Sequence, residues 1–157
     1  MTQSILEKWP WLEPSFMMRG QLLDLLSDED LAFSPGGQNV ILGRLLREMG
    51  DTEYQYIRSL KTLKHDWSYH NTEAGLENSV SRLRTWFEQL DSELLAALSA
   101  LSYDDLSKLV DRGRFHATLE RQVNIYAEAG LIFFGKIMVY LRALNKPLPA
   151  EFEEYFG

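Results

Sequence analysis

The chain contains no cysteine among its 157 residues. That excludes disulfides, thiolate metal sites and a cysteine nucleophile in one step. It also suits a reducing compartment, and a cytoplasmic location is expected. Positive charge is in short supply: 16 Lys and Arg stand against 23 Asp and Glu, for a formal charge of −7 and a pI near 5.0. A nucleic-acid partner needs a basic face. The only basic groupings are short pairs such as Arg82 with Arg84 and Arg112 with Arg114, which read as solvated helix surface. Long apolar runs are missing too. None approaches the ~20 residues of a bilayer span, and Lys136 and Arg142 interrupt the best candidate, so no membrane partner is expected. The opening MTQSILEKWPWLEPSF has neither a basic n-region nor a long apolar core, so it does not read as a signal or transit peptide.

What remains is a chain long enough to bury roughly 70% of its extended surface without staples. We expect it to form one domain over residues 1–157. Breaks fall at Pro10 and Pro14, Pro35-Gly36-Gly37, His70 to Gly75, Gly113, and Pro147 to Pro149. Between them apolar residues recur at intervals of three and four, never two. The spacing predicts long helices over about Pro14–Leu26, Asn39–Thr62, Gly75–Leu98 and Thr118–Asn145. Serine caps with acids behind them, Ser27 and Ser102, mark two short helical turns. The fold class expected is therefore all-α: a four-helix bundle with short connecting helices.

The last long helix carries two apolar lines. One runs through Leu119, Val123, Tyr126, Gly130, Phe133, Ile137, Tyr140 and Leu144 and suits a bundle core. The other runs through Ile125, Ala129, Ile132, Val139 and Ala143, broken only by Lys136. A bundle helix needs one such face, so the second predicts a neighbouring helix or a homodimer partner.

Four segments in order resemble the DinB-like superfamily. They are LLDLLSDEDLAFSPGGQNVILGRLL, LLREMGDTEYQYIRSL, LLAALSALSYDDLSKLV and GKIMVYLRALNKPLP. The resemblance implies a four-helix bundle, usually dimeric. In many members three histidines hold a divalent metal, one on the second helix and two spaced by four on the last, just ahead of a glycine. An i, i+4 pair projects from one helix face, which is why two such imidazoles can share an ion. Laid over this chain, those positions fall on Glu48, Ala129 and Phe133, with Gly135 as the glycine. Alanine and phenylalanine cannot ligate, and one carboxylate does not hold a transition metal. The expectation is thus a metal-free relative with no cofactor, its old ligand positions filled by packing. It would act as a binding or interaction module, with a small molecule as a possible ligand. The alternative is a thiol-dependent transferase or isomerase like several metal-bearing relatives. His65, His70 and His116 read as surface or capping residues, and Glu48 as a rim residue paired with Arg44 or Arg47. No nucleophile-elbow, dinucleotide, P-loop or His-Glu-x-x-His pattern occurs, so no catalytic residue can be named.

Overall fold

The computed structural model describes residues 4–156. Five α-helices run in chain order: α1 Leu12–Asp24, α2 Leu42–Thr62, α3 Val80–Ser99, α4 Leu119–Ala143 and α5 Ala150–Phe156. Short 3-10 turns separate the longer ones. Helix α2 is the spine. It packs along both α3 and α4, while α1 rests on α3. Its buried Leu42, Leu45, Leu46, Met49, Ile57 and Leu60 join Leu83, Phe87, Leu90 and Leu94 of α3 and Val123, Ile137 and Leu141 of α4 in one core.

Local chemistry sets the ends. Ser79 and Thr118 cap α3 and α4, accepting from the backbone N–H groups of Arg82 (3.3 Å) and Arg121 (3.1 Å). Helix α2 ends where Leu63 turns left-handed at φ 57°. The two predicted serine caps are reciprocal boxes. The Ser27 N–H donates to Asp30 at 2.8 Å and receives its bond back through Oγ, and Ser102 does the same with Asp105. Missing side chains let α2 approach α3 and the turn ahead of it: a Cβ on Gly43 would lie 1.9 Å from the carbonyl oxygen of Glu77 in that turn, and one on Gly50 would lie 2.3 Å from the Trp86 ring of α3.

Three features depart from the periodicity reading. A two-stranded antiparallel hairpin, β1 Leu109–Asp111 and β2 His116–Thr118, precedes α4. It is too short to show alternation, and its turn depends on Gly113 at φ +86°. Beyond Pro149 the chain resumes as α5, whose Phe152 is fully buried against Phe134, ring centroids 5.4 Å apart. Finally, α4 is long and apolar enough, by length and composition, to cross a bilayer. Contiguous runs understated this because its few charges are widely spaced. In the bundle its Leu119, Val123, Ile137, Tyr140 and Leu141 are buried among the other helices.

Candidate functional site

Between α1, α2 and α4 lies a cavity of about 550 Å³. Its walls are mostly apolar: Trp11, Pro14 and Met18 from the α1 side, Met49 from α2, and Tyr126, Gly130, Leu131 and Phe134 from α4, with Tyr155 of α5 at the edge. Gly130 opens the wall, since a Cβ there would meet nothing within 4 Å. One charged residue reaches the cavity, Arg19 of α1. A larger hollow of about 730 Å³ beside Arg142 and Pro147 is a broad surface depression whose Lys146 is already paired with Asp30 at 2.9 Å.

Arg19 is 3% exposed and is held from behind by two acids. It donates to Glu53 Oε2 of α2 at 2.7 Å and makes a very short contact with Asp91 of α3. Its guanidinium lies over the Phe87 ring, 4.1 Å from the centroid. Glu53 is itself 1% exposed, and its Oε1 has no hydrogen-bond partner among the described residues. Burial pushes the Glu53 carboxyl up to about 7, opposed by Arg19 and reinforced by Asp91. Asp91 is raised by burial too, against the pull of Arg19. Burial alone would lower Arg19, but the two carboxylates outweigh it and hold the guanidinium charged. The Tyr126 phenol, between this network and the cavity, is raised well above its ordinary value by burial and then by Glu53.

A second buried polar cluster sits where α2 meets the hairpin. His65 is 4% exposed, which corrects its reading as a surface loop histidine. Its backbone N–H donates to the Asp111 carbonyl at 2.8 Å and the Asp111 N–H donates to the Leu63 carbonyl at 2.9 Å, tying the segment after α2 to β1. The His65 Nδ1 lies 2.9 Å from Gln122 Nε2, and Gln122 also binds Ser59 Oγ at 2.8 Å and Arg112 at 2.5 Å. Burial, then the nearby Arg112 charge, pushes His65 down to about 4. Tyr56 joins the clusters, its ring 4.7 Å from His65 and 5.4 Å from Tyr126. His70 and His116 are exposed, as expected.

No protein-family model matches the sequence, and no curated protein matches it. Solved structures do. A DinB-like protein from Bacillus subtilis superposes with a TM-score of 0.73 at 14% identity, covering 94% of this chain and 96% of its own. A DinB-like protein from Bacillus cereus gives 0.74 at 18% identity, covering 93% and 94%. The fold is DinB-like.

The likeness at these identities is one of fold, so the three positions expected from the sequence resemblance rest on this chain's own residues. Glu48 is half-buried and bound to Arg44 at 3.0 Å. Ala129 is half-buried, and Phe133 lies half-buried under the Lys136 ammonium, 5.5 Å from its ring centroid. None of the three lines the cavity. The residues one further along each helix, Met49, Gly130 and Phe134, all do. A divalent ion does not fit this wall. It offers two thioethers, two phenols, a serine hydroxyl and a guanidinium but no carboxylate or imidazole, and a cation would face Arg19. Among the described residues no group of three or more His, Cys, Asp or Glu could hold a metal ion.

Spacing could have shown one part of this site. Glu53 follows Met49 by four and precedes Tyr56 by three, so it shares their helix face. An acid in an otherwise apolar stripe calls for a buried partner. Nothing in the sequence identified Arg19 and Asp91 as those partners, because they come 34 residues earlier and 38 later on other helices.

Proposed function

We propose that this chain is a binding protein that takes a small, largely apolar molecule into the cavity between α1, α2 and α4. One observation carries the reading: an apolar pocket large enough for a small ligand, walled by aromatic and thioether side chains, with a single buried charge at its edge. The same donor set favours binding over thiol-dependent transfer, which needs a Lewis acid or strong base beside the thiol. Arg19 supplies neither, being cationic and committed to two carboxylates. The test is to fill the space. A panel of small apolar compounds should raise the melting temperature of the wild-type protein by mass action. Gly130→Trp, which places an indole in the open wall, should remove the shifts while the far-ultraviolet spectrum stays helical. If no compound shifts the wild type, or if shifts persist in Gly130→Trp, the cavity is not a ligand site.

A homodimer is the second part of the proposal. Leu131, Ile132 and Val139 of α4 are 57%, 60% and 56% exposed. A cluster of large aliphatic side chains on one helix calls for a cover, and a second copy offers the same surface in return.

A further inference from the structure

The cavity's polar character is one-sided. Arg19 lines it, whereas Glu53 and Asp91 grip the guanidinium from behind and contribute nothing to the wall. A guanidinium carries five N–H donors, and among the described residues only the bonds to Glu53 and Asp91 use Arg19's. A residue 3% exposed thus has donors to spare beside a space whose other polar groups are uncharged hydroxyls. The matching ligand group is an acceptor, and the strongest acceptor for a guanidinium is a carboxylate.

Adding a carboxylate here would place three acids around one cation in a desolvated site. That arrangement needs a proton. Glu53 is where it can go. It is the deeper acid, with a side chain 1% exposed against 18% for Asp91, and its Oε1 has no hydrogen-bond partner by geometry among the described residues. Every helix packed against it presents a charged or titratable group: Arg19 from α1, Asp91 from α3 and Tyr126 from α4. Arg19 stays charged and Tyr126 stays neutral across ordinary pH, so the change falls on the two acids. Burial already brings Glu53 close to neutrality for protonation at pH 7.

We infer that the cavity binds an apolar carboxylic acid as its carboxylate against Arg19, and that Glu53 takes up a proton from solvent as the ligand enters. This rests on the cavity being a ligand site. A cation would meet Arg19 with no acid in the wall to compensate. A neutral molecule would fill the cavity without drawing a proton.

Three probes of one shape separate these cases: 2-naphthoate, 2-naphthalenemethanol and 2-naphthylmethylammonium, titrated calorimetrically into the full chain. At pH 7.5 the carboxylate should bind at least about tenfold more tightly than either counterpart. Repeating the titration in phosphate and in Tris should show uptake of up to one proton, and naphthoate should bind about tenfold more tightly at pH 6.5 than at pH 8. Glu53→Gln should bind naphthoate with no proton uptake and little pH dependence. Arg19→Gln should bring naphthoate down to the alcohol's affinity. If Arg19→Gln does not fold, the Glu53→Gln result still decides the proton step. Equal affinity for acid and alcohol, tighter binding of the amine, or proton uptake that survives Glu53→Gln would overturn the inference while the cavity reading stands. If none of the three binds, both fall.

Discussion

Arg19 of α1 and Glu53 of α2 meet at 2.7 Å with side chains 4% and 1% exposed, so an ion pair lies within the bundle core. Such a pair is a costly way to hold two helices together, because both charges are desolvated. Here it does more than join two helices: Asp91 brings in α3, and Tyr126 brings in α4. All four long helices therefore converge on one polar point beside an apolar cavity.

Removing the cation should be far worse than neutralising the deeper acid. Arg19→Met leaves two buried acids without their counterion and should cost about 3–5 kcal/mol. Glu53→Gln keeps an acceptor for Arg19 and leaves Asp91 as its counterion, so its cost should stay below about 2 kcal/mol. Urea denaturation of both variants at pH 7 checks the order. Equal losses would mean that the network is not the charge-coupled unit its geometry indicates.

Two buried groups should tilt stability with pH in opposite directions. The Glu53 pKa is raised to about 7 in the folded chain. Its contribution is therefore full below its unfolded value and is lost as pH rises through 7. The His65 pKa is depressed to about 4. Its contribution is present above the ordinary histidine range and is lost as pH falls towards 4. The wild type should gain stability from pH 8 to about 6.5 and then stay nearly level to about pH 5, with each slope worth on the order of 1–3 kcal/mol. Glu53→Gln should show only loss on acidification below pH 6.5. His65→Gln should show only gain. Melting curves across pH 5–8 for the three proteins read this directly, and parallel profiles would refute both assignments.

How much of this was legible follows from what periodicity records. Helices α2, α3 and α4 repeat apolar residues over five or more turns, Thr118 caps the last of them, and the Ser27 and Ser102 boxes mark short turns between helices. Those features are local, and they read correctly to within a few residues. The hairpin has three residues per strand, fewer than an alternation needs to be seen. His65 looked exposed because it follows a helix end. Its burial depends on Gln122, 57 residues away, and on the hairpin folding back over it. Glu48, Ala129 and Phe133 each stand one residue before a residue that lines the cavity. Ala129 and Phe133 flank the cavity-lining Gly130 and Phe134, and a shift of one residue turns a helix by about 100°. Register at that precision is set by how α4 packs on α2, which lies outside the sequence of either helix.

Helix α2 comes closest to the turn ahead of α3 at a glycine. At Gly43 an added methyl would meet the Glu77 backbone at 1.9 Å, where no side chain can swing aside. Gly43→Ala should therefore destabilise by about 1–3 kcal/mol, despite alanine's better helix propensity. Gly130→Ala adds its methyl to open space and should stabilise by up to about 1 kcal/mol. Opposite signs for one chemical change on two helices are the expected result in thermal unfolding. A stabilising Gly43→Ala would show that α2 and the turn ahead of α3 do not approach as closely as described.

Helix α4 presents an exposed aliphatic line. Ile132 and Val139 stand seven residues apart, two helical turns, and are 60% and 56% exposed. If a second copy covers them, light scattering after size exclusion at micromolar concentration should give about twice the 18.2 kDa chain mass. Ile132→Glu with Val139→Glu should give the monomer, since each would bury an unpaired charge in the interface. The isolated subunit should stay folded, because neither side chain belongs to its core, though its melting temperature should become independent of concentration. Half-exposed Phe133 gives an internal control: Phe133→Ala lightens the core edge without adding charge and should leave the dimer in place. A wild-type mass of one chain at that concentration would exclude the dimer, because an interface built on these residues should hold at micromolar dilution.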